Sequence, residues 1–238
     1  MEQIMESTPA IEQLIILSRS IAESIGLRSG GEITSEDIAP LVQMLSVFTP
    51  EHLGLVPQAH AYITPATAYP MDIRYLHIAQ EAGFSIGVFV LPPGACMPLH
   101  DHPNMCVVSH VLYGSVKITC YDCLQADSDN NASRLRGSNQ QGGQPQLASL
   151  RASGWHNAPH TSRLSPSVAN IHELQAGGDG TAILDVLVPP YDDASGRECT
   201  YYRAEHTAGE RVRLVPCNPG HQFRIMRGTF VSPYSYST

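Results

Sequence analysis

A run of short, strand-like segments constrains the fold of this chain more than any other feature. From about Tyr69 onward, β-branched and aromatic residues gather in short stretches that glycine and proline separate. The stretches read RYLHIA, FSIGVFVL, CVVSHVLYGSVKITCYD, ANIHELQA and TAILDVLVPP. Many short strands in one run are typical of a β-sandwich or barrel. We therefore predict a mainly β fold.

The residues before this run have a helical pattern. The segment IEQLIILSRSIAESIG places apolar residues at three- and four-residue spacing and ends at Gly26. A second helix is predicted in TSEDIAPLVQMLSVF, with Thr34 as its N-cap and acidic residues in its first turn. We predict a helical segment at 1–60 that packs on a β domain at 61–205. The polar stretch 125–147 is predicted to be a flexible surface loop, and 206–238 a C-terminal extension of unassigned role.

The charge and cysteine content exclude several classes of protein. The net charge is −8 and the only lysine is Lys117, whereas a nucleic-acid surface needs clustered basic groups. No stretch approaches the roughly 20 apolar residues of a membrane span, and the acidic start is unlike a secretory signal. Six cysteines in this length form no disulfide framework, so we expect reduced thiols in the cytoplasm, with the nucleus as the alternative. Zinc binding by the lone pair Cys120 and Cys123 is the less favoured reading.

One histidine pair stands out in the segment PLHDHPNM. His100 and His102 are two residues apart, and this spacing places both side chains on the same face of an extended strand. A further histidine, His172, follows in NIHEL on a later predicted strand. Three imidazoles on neighbouring strands can share one metal ion, and imidazole suits iron, zinc and copper alike. The alternative for an isolated pair of this kind is two histidines in a solvated loop.

The spacing around this pair resembles the cupin signature. In that signature five residues separate a glycine from His-x-His, three or four residues separate His-x-His from a glutamate, and six more separate the glutamate from a second glycine. Gly94, His100, His102 and Gly114 occupy the matching positions, whereas Val107 stands in the glutamate position. Without the glutamate, the predicted site has three neutral histidine ligands, and about half of an octahedral coordination shell stays open.

Longer blocks resemble one family, the thiol dioxygenases that comprise animal cysteamine (2-aminoethanethiol) dioxygenase and the plant cysteine oxidases. The blocks are LHDHPNMCVVSHVLYGSVKITCYD, ILDVLVPPYDD and GRECTYYR, within roughly residues 70–205. The resemblance implies a cupin-type double-stranded β-helix, a jelly-roll barrel with N-terminal helices, that holds Fe(II) on His100, His102 and His172. It implies addition of both atoms of O₂ to the sulfur of cysteamine or of an N-terminal cysteine in a peptide or protein. It also implies a link to oxygen-dependent N-degron control, and it favours a monomer.

Four further residues take roles from this resemblance. Asp185 lies in an apolar strand and is expected to be a cavity carboxylate that orients the substrate or its ammonium group; the alternative is a structural hydrogen bond. Tyr191 is expected on a loop at the mouth of the barrel, either in the site or packed on the surface. Cys199 and Tyr201 match positions that form a thioether crosslink in animal members; the alternative is a buried thiol beside a packed aromatic ring. Tyr201 is expected to line the cavity in either case.

Some features depart from the family or stay outside the predicted site. Asn104 stands where glycine is common, and His110 where lysine is usual. Five other histidines have no spacing that predicts a partner: His77, His156, His160, His206 and His221. Two other functions remain open: a cupin isomerase or hydrolase that uses zinc or manganese at the same histidines, and a cupin that binds a ligand without catalysis.

Overall fold

The structure, a computed structural model of the chain, describes residues 8–26, 33–55, 71–124, 144–206 and 211–233. Most of the stretch predicted as a flexible loop, residues 125–143, lies outside the described residues. The predicted boundary between helical segment and β domain, at 60 and 61, lies outside them too. None of the described helices is long and apolar enough to cross a membrane.

Two α-helices precede the strands. Helix α1 spans Ala10–Gly26, helix α2 spans Ala39–Leu45, and a short 3₁₀ helix follows at Pro50–Leu53. The first helix was predicted correctly, but the N-cap at Thr34 was wrong. Helix α2 begins five residues later because the Thr34 backbone N–H and hydroxyl both donate to the Asp37 carboxylate, which forms a turn before the helix.

Ten strands make up the rest of the described chain. They are β1 (Ile73–Glu81), β2 (Phe84–Leu91), β3 (Cys96–His100), β4 (Cys106–Cys123), β5 (Gln146–Asn157), β6 (His160–Leu164), β7 (Ile171–Val188), β8 (Tyr202–His206), β9 (Arg211–Pro216) and β10 (Ile225–Thr229). All five predicted stretches lie largely within strands, and the last two belong to one continuous strand, β7. Gln146 and Leu147, predicted as the end of the loop, instead begin β5.

The strands form a single hydrogen-bonded sheet in the order β10-β1-β2-β7-β4-β5-β9-β8, with β3 on β7 and β6 on β4. The order is that of a mainly β double-stranded β-helix, as predicted. Among the described residues the sheet does not close on itself, since its path ends at β10 and β8. Strands β9 and β10 come from the C-terminal extension, and β10 pairs in parallel with β1.

The two 18-residue strands β4 and β7 pair along most of their lengths and connect both halves of the fold. Their pairing is interrupted by register shifts on both sides of residues 113–114. Gly114 has a φ of 75°, and a Cβ built there would lie 2.0 Å from the Gly180 carbonyl oxygen. Only glycine allows the two strands to approach this closely where the sheet bends. The second glycine of the signature therefore has a steric cause.

Alternation along the central strands separates a core face from a site face. Ile86, Val88, Leu184 and Val186 are fully buried in the apolar cluster that also contains residues of α1 and α2. The intervening residues of β2 and β7 point the opposite way, because successive strand residues alternate between faces. Among them is Asp185, which lines an internal cavity. The helices thus cover the back of the sheet and leave its other face for the site.

Candidate metal centre and substrate cavity

Three histidines converge at one end of β7. His100 is the last residue of β3 and is the register partner of His172 on β7, while His102 lies in the loop that follows β3. All three are buried, with relative exposures of 6%, 4% and 8% for His100, His102 and His172. One ligand atom from each lies within 4.8 Å of the others, and the Nε2 atoms of His102 and His172 are 3.2 Å apart. The structure therefore brings together the three histidines predicted as ligands.

Hydrogen bonds fix the orientation of two of these rings. His100 Nδ1 lies 2.8 Å from the Pro98 carbonyl oxygen, which only accepts, so this nitrogen carries the proton. The Tyr191 hydroxyl donates to the Asp101 carbonyl oxygen at 2.6 Å and therefore accepts from His102 Nδ1–H at 2.9 Å. Both rings keep their Nε2 lone pairs for the centre of the cluster, which is the arrangement that metal-binding histidines require.

The electrostatics also suit a cation bound at this centre. Burial lowers the pKa of His100 to about 4, and burial together with the neighbouring imidazoles holds the pKa values of His102 and His172 well below their ordinary value. Neutral imidazoles are the form that binds metals. Two nitrogens bound at right angles to one ion, each about 2.1 Å away, lie roughly 3 Å apart. The observed 3.2 Å agrees with this geometry, so the residues fit a metal ion.

Two residues that the sequence did not single out hold the ligand loop. Asp101, between the paired histidines, accepts from the Thr200 N–H at 2.8 Å and from the Tyr202 hydroxyl at 2.9 Å. Asn170 accepts from the His102 N–H at 3.1 Å and donates to the His102 carbonyl oxygen at 2.8 Å. The only sequence signal for Asn170 is its place two residues before His172. Both residues tie the loop to strands that are distant in the sequence.

A cavity of about 340 Å³ adjoins the three histidines. Asp185 lines it and is paired in register with Ser109 on β4 and Gly87 on β2. Burial raises the pKa of Asp185 to about 7, although the Ser109 hydroxyl on the neighbouring strand acts to lower it. One carboxylate oxygen of Asp185, Oδ1, is buried and has no hydrogen-bond partner among the described residues. The carboxylate therefore lacks a donor that a ligand in the cavity could supply.

The other three predicted site residues also line the cavity. Tyr191 was expected at the mouth, and its hydroxyl lies deeper, against His102 and Asp101. The Cys199 thiol lies near the Tyr191 and Tyr201 hydroxyls, and burial raises the thiol pKa to about 11. Its proximity to Tyr201 is compatible with the crosslink that the resemblance implies. The same proximity fits an uncrosslinked thiol.

The two departures from the family pattern have local explanations. Asn104 has a φ of 55°, a left-handed conformation that asparagine and glycine tolerate better than other residues. His110 is buried; its Nε2–H donates to the Phe48 carbonyl oxygen at 3.1 Å, and its Nδ1 accepts from the Thr161 hydroxyl at 2.7 Å. His110 therefore joins β4 to β6 and to the segment after α2, away from the metal centre.

The remaining histidines and the cysteine pair lie outside the three-histidine cluster, which is the only such group among the described residues. The rings of His156 and His160 stack with centroids 4.0 Å apart, a contact that the spacing did not predict. Cys120 and Cys123 are free thiols that bond to different partners, the Ala152 carbonyl oxygen and the Gln146 side chain. The two thiols therefore share no hydrogen-bond partner among the described residues.

A mainly β double-stranded β-helix with three buried histidines facing an internal cavity defines a cupin with a candidate metal centre. The chain belongs to the PCO_ADO family, whose family model matches residues 44–232. It is 36% identical to the 2-aminoethanethiol dioxygenase of Mus musculus over 179 residues, which are 71% of this chain and 68% of that protein. It is 35% identical to plant cysteine oxidase 2 of Arabidopsis thaliana over 176 residues, or 74% of this chain and 60% of that protein.

A solved structure of a cupin from Desulfovibrio desulfuricans aligns with 14% identity and a TM-score of 0.35, covering 54% of this chain and 92% of that one. The relatives named above are a dioxygenase and an oxidase of small thiols, so the prediction of the thiol dioxygenase family is confirmed. The aligned part spans about two thirds of the length of these relatives.

Proposed function

We propose that this protein is an Fe(II)-dependent thiol dioxygenase that converts cysteamine, or the N-terminal cysteine of a peptide or protein, into the sulfinate. The overall reaction joins a thiol RSH with O₂ to give RSO₂⁻ and one proton. The observation that carries the proposal is the set of three neutral, buried histidines without a carboxylate ligand, beside a cavity with an unpaired carboxylate. The names of the relatives support the same substrates.

The three histidines would hold the iron. Bound there, Fe(II) supplies sites for the thiol sulfur and for O₂ and lowers the thiol pKa by coordination. Because all three protein ligands are neutral, the charge of the metal is left to be balanced by an anionic thiolate. Tyr191 keeps the proton of His102 on Nδ1, and Pro98 does the same for His100, so both Nε2 atoms stay available as ligands.

Asp185 is proposed to orient the substrate. Its Oδ1 is buried without a partner, and an ammonium group two carbons from the sulfur can donate to it. A positive charge beside the carboxylate would lower its pKa from about 7 and keep it ionised. Apolar residues, among them Phe89, Met97 and Leu174, line the same cavity and limit the entry of water.

The size of the cavity supports a peptide as well as a small amine thiol. A volume of about 340 Å³ is within the range of sites for ligands much larger than cysteamine. The residues Gln80, Pro190 and Tyr191 are shared with a second, more polar cavity of about 520 Å³ that contains Asp192 and Arg197. In this proposal the residues that follow an N-terminal cysteine extend from the first cavity into the second. Oxidation of such a cysteine would connect the enzyme to oxygen-dependent N-degron control, as the resemblance implies.

The test is turnover by iron-loaded protein in air, followed by mass spectrometry of cysteamine and of a peptide that begins with cysteine. A gain of two oxygen atoms, both from isotopically heavy O₂, is the expected result. The same peptide with an acetylated N-terminus is the control and should react poorly. Protein active only with zinc or manganese, without O₂ consumption, would indicate a hydrolase or isomerase. Thiol binding without product would indicate a binding protein.

A further inference from the structure

Tyr75 occupies space in the cavity that a side chain at position 87 would otherwise fill. A Cβ built on Gly87 would lie 2.3 Å from Tyr75 Cε2 and 2.5 Å from both Cζ and the hydroxyl oxygen. The phenol end of Tyr75 therefore lies directly over the Gly87 backbone. Real Cβ atoms do not make contacts this short, so a larger residue at 87 would displace the ring.

The same contact places the Tyr75 hydroxyl beside Asp185. Gly87 and Asp185 are register partners on the adjacent strands β2 and β7, and cross-strand partners point to the same face with their Cβ atoms about 5 Å apart. Tyr75 and Asp185 both line the cavity. Burial raises the pKa of Tyr75 most, the negative charge of Asp185 raises it further, and the positive charge of Arg227 lowers it. The effect of Asp185 agrees with this proximity.

The side of the cavity formed by Tyr75 and Asp185 presents oxygen atoms to a ligand. Asp185 Oδ1 is buried and unpartnered among the described residues. Phe89 packs against the Tyr75 ring with centroids 4.8 Å apart and holds the ring in place. Arg227, the partner of Tyr75 on β10, is exposed and is not among the residues that line the cavity; Ile225 lines the cavity from this strand. A cation entering the cavity therefore meets two oxygens on this side.

We propose that Tyr75 is a specificity-determining residue whose phenol oxygen, together with Asp185 Oδ1, forms the subsite for the ammonium group of the substrate. An ammonium has three N–H donors and can give one to each oxygen. Gly87 is glycine because the subsite needs the phenol at this position. The inference rests on the thiol dioxygenase function proposed above and assigns the residue that selects the free amine.

The test compares cysteamine with N-acetylcysteamine, in which a neutral amide replaces the ammonium. For iron-loaded Tyr75→Phe we expect KM for cysteamine to rise at least about tenfold, because a hydrogen bond to a charged group is lost in ground and transition state alike. We expect kcat to stay within about twofold, and kcat/KM for N-acetylcysteamine to be unchanged. Where the acetylated thiol turns over too slowly, its inhibition of cysteamine oxidation replaces kcat/KM.

Gly87→Ala is the second variant, because it displaces the phenol while leaving the tyrosine in the chain, and we expect the same rise in KM. Tyr113→Phe is the matched control: it removes the hydroxyl of a buried tyrosine that does not line the cavity. Iron content and the midpoint of thermal unfolding are measured for all three variants. If Tyr75→Phe is too unstable to assay, Gly87→Ala decides.

An unchanged KM for cysteamine in both variants would overturn the role of Tyr75. Equal losses with cysteamine and N-acetylcysteamine would overturn it as well, since they indicate a structural residue that does not read the amine. Both outcomes leave the proposed function standing when the wild-type protein oxidises cysteamine. Absence of oxidation by the iron-loaded wild type refutes the proposed function and the inference with it.

Discussion

Replacing Tyr191 with phenylalanine tests how the metal centre is built. In the wild-type structure the hydroxyl accepts from His102 Nδ1–H at 2.9 Å and donates to the Asp101 carbonyl oxygen at 2.6 Å. The ring itself stays in Tyr191→Phe, so packing against His102 is kept. Two hydrogen bonds are lost, each worth roughly 0.5–1.5 kcal/mol net. We expect the free energy of unfolding to fall by about 1–3 kcal/mol.

The larger effect is expected on metal affinity. Without the hydroxyl, His102 is free to change tautomer or rotate, and loss of a hydrogen bond behind a metal ligand typically weakens binding by about 10–100-fold. Competition with a chromophoric chelator measures this affinity, and urea unfolding of the metal-free protein measures the stability. Tyr191→Phe that retains wild-type affinity would refute the idea that the Tyr191 hydroxyl orients His102. A loss of stability alone would mean that Tyr191 only supports the loop.

Three further outcomes are expected. Asp185→Asn should fold and retain iron while turnover with either substrate falls at least about tenfold, or 1.36 kcal/mol; unchanged turnover would make Asp185 a structural residue. Alanine at any one of the three histidines should reduce iron retention and turnover by orders of magnitude, and full retention in one variant would remove that residue from the ligand set. Burial, with the nearby His160, lowers the pKa of His110 below its ordinary value, so the folded state binds fewer protons than the unfolded chain. The stability that His110 contributes is full above about pH 6.5 and decreases as the pH falls below it. As the pH falls through this interval, the urea midpoint of His110→Gln should fall less than that of the wild type. An equal fall in both proteins would contradict the assignment.

Much of the fold could be predicted because the decisive signals are local. The stretch FSIGVFVL coincides with β2, and apolar spacing located helix α1 to within one residue. Predictions failed where tertiary contacts override local preference. Thr34 has an N-cap residue type, yet its bonds to Asp37 form a turn before the helix. The C-terminal extension has little pattern of its own, because β10 is defined by its pairing with β1, far away in the sequence.

The sequence by itself determined the identity of the three histidines, their neutral chemistry and the family to which the chain belongs, because residue types and their spacing carry that information. Only the tertiary structure decided which atoms meet. Asn170 reaches the backbone of His102 across 68 residues, and Tyr191 reaches its ring across 89. The place of Tyr75 over Gly87 follows from strand register, which sets which side chains share a face. Contacts between residues so far apart in the sequence form only when the whole chain folds, and no local sequence pattern encodes them.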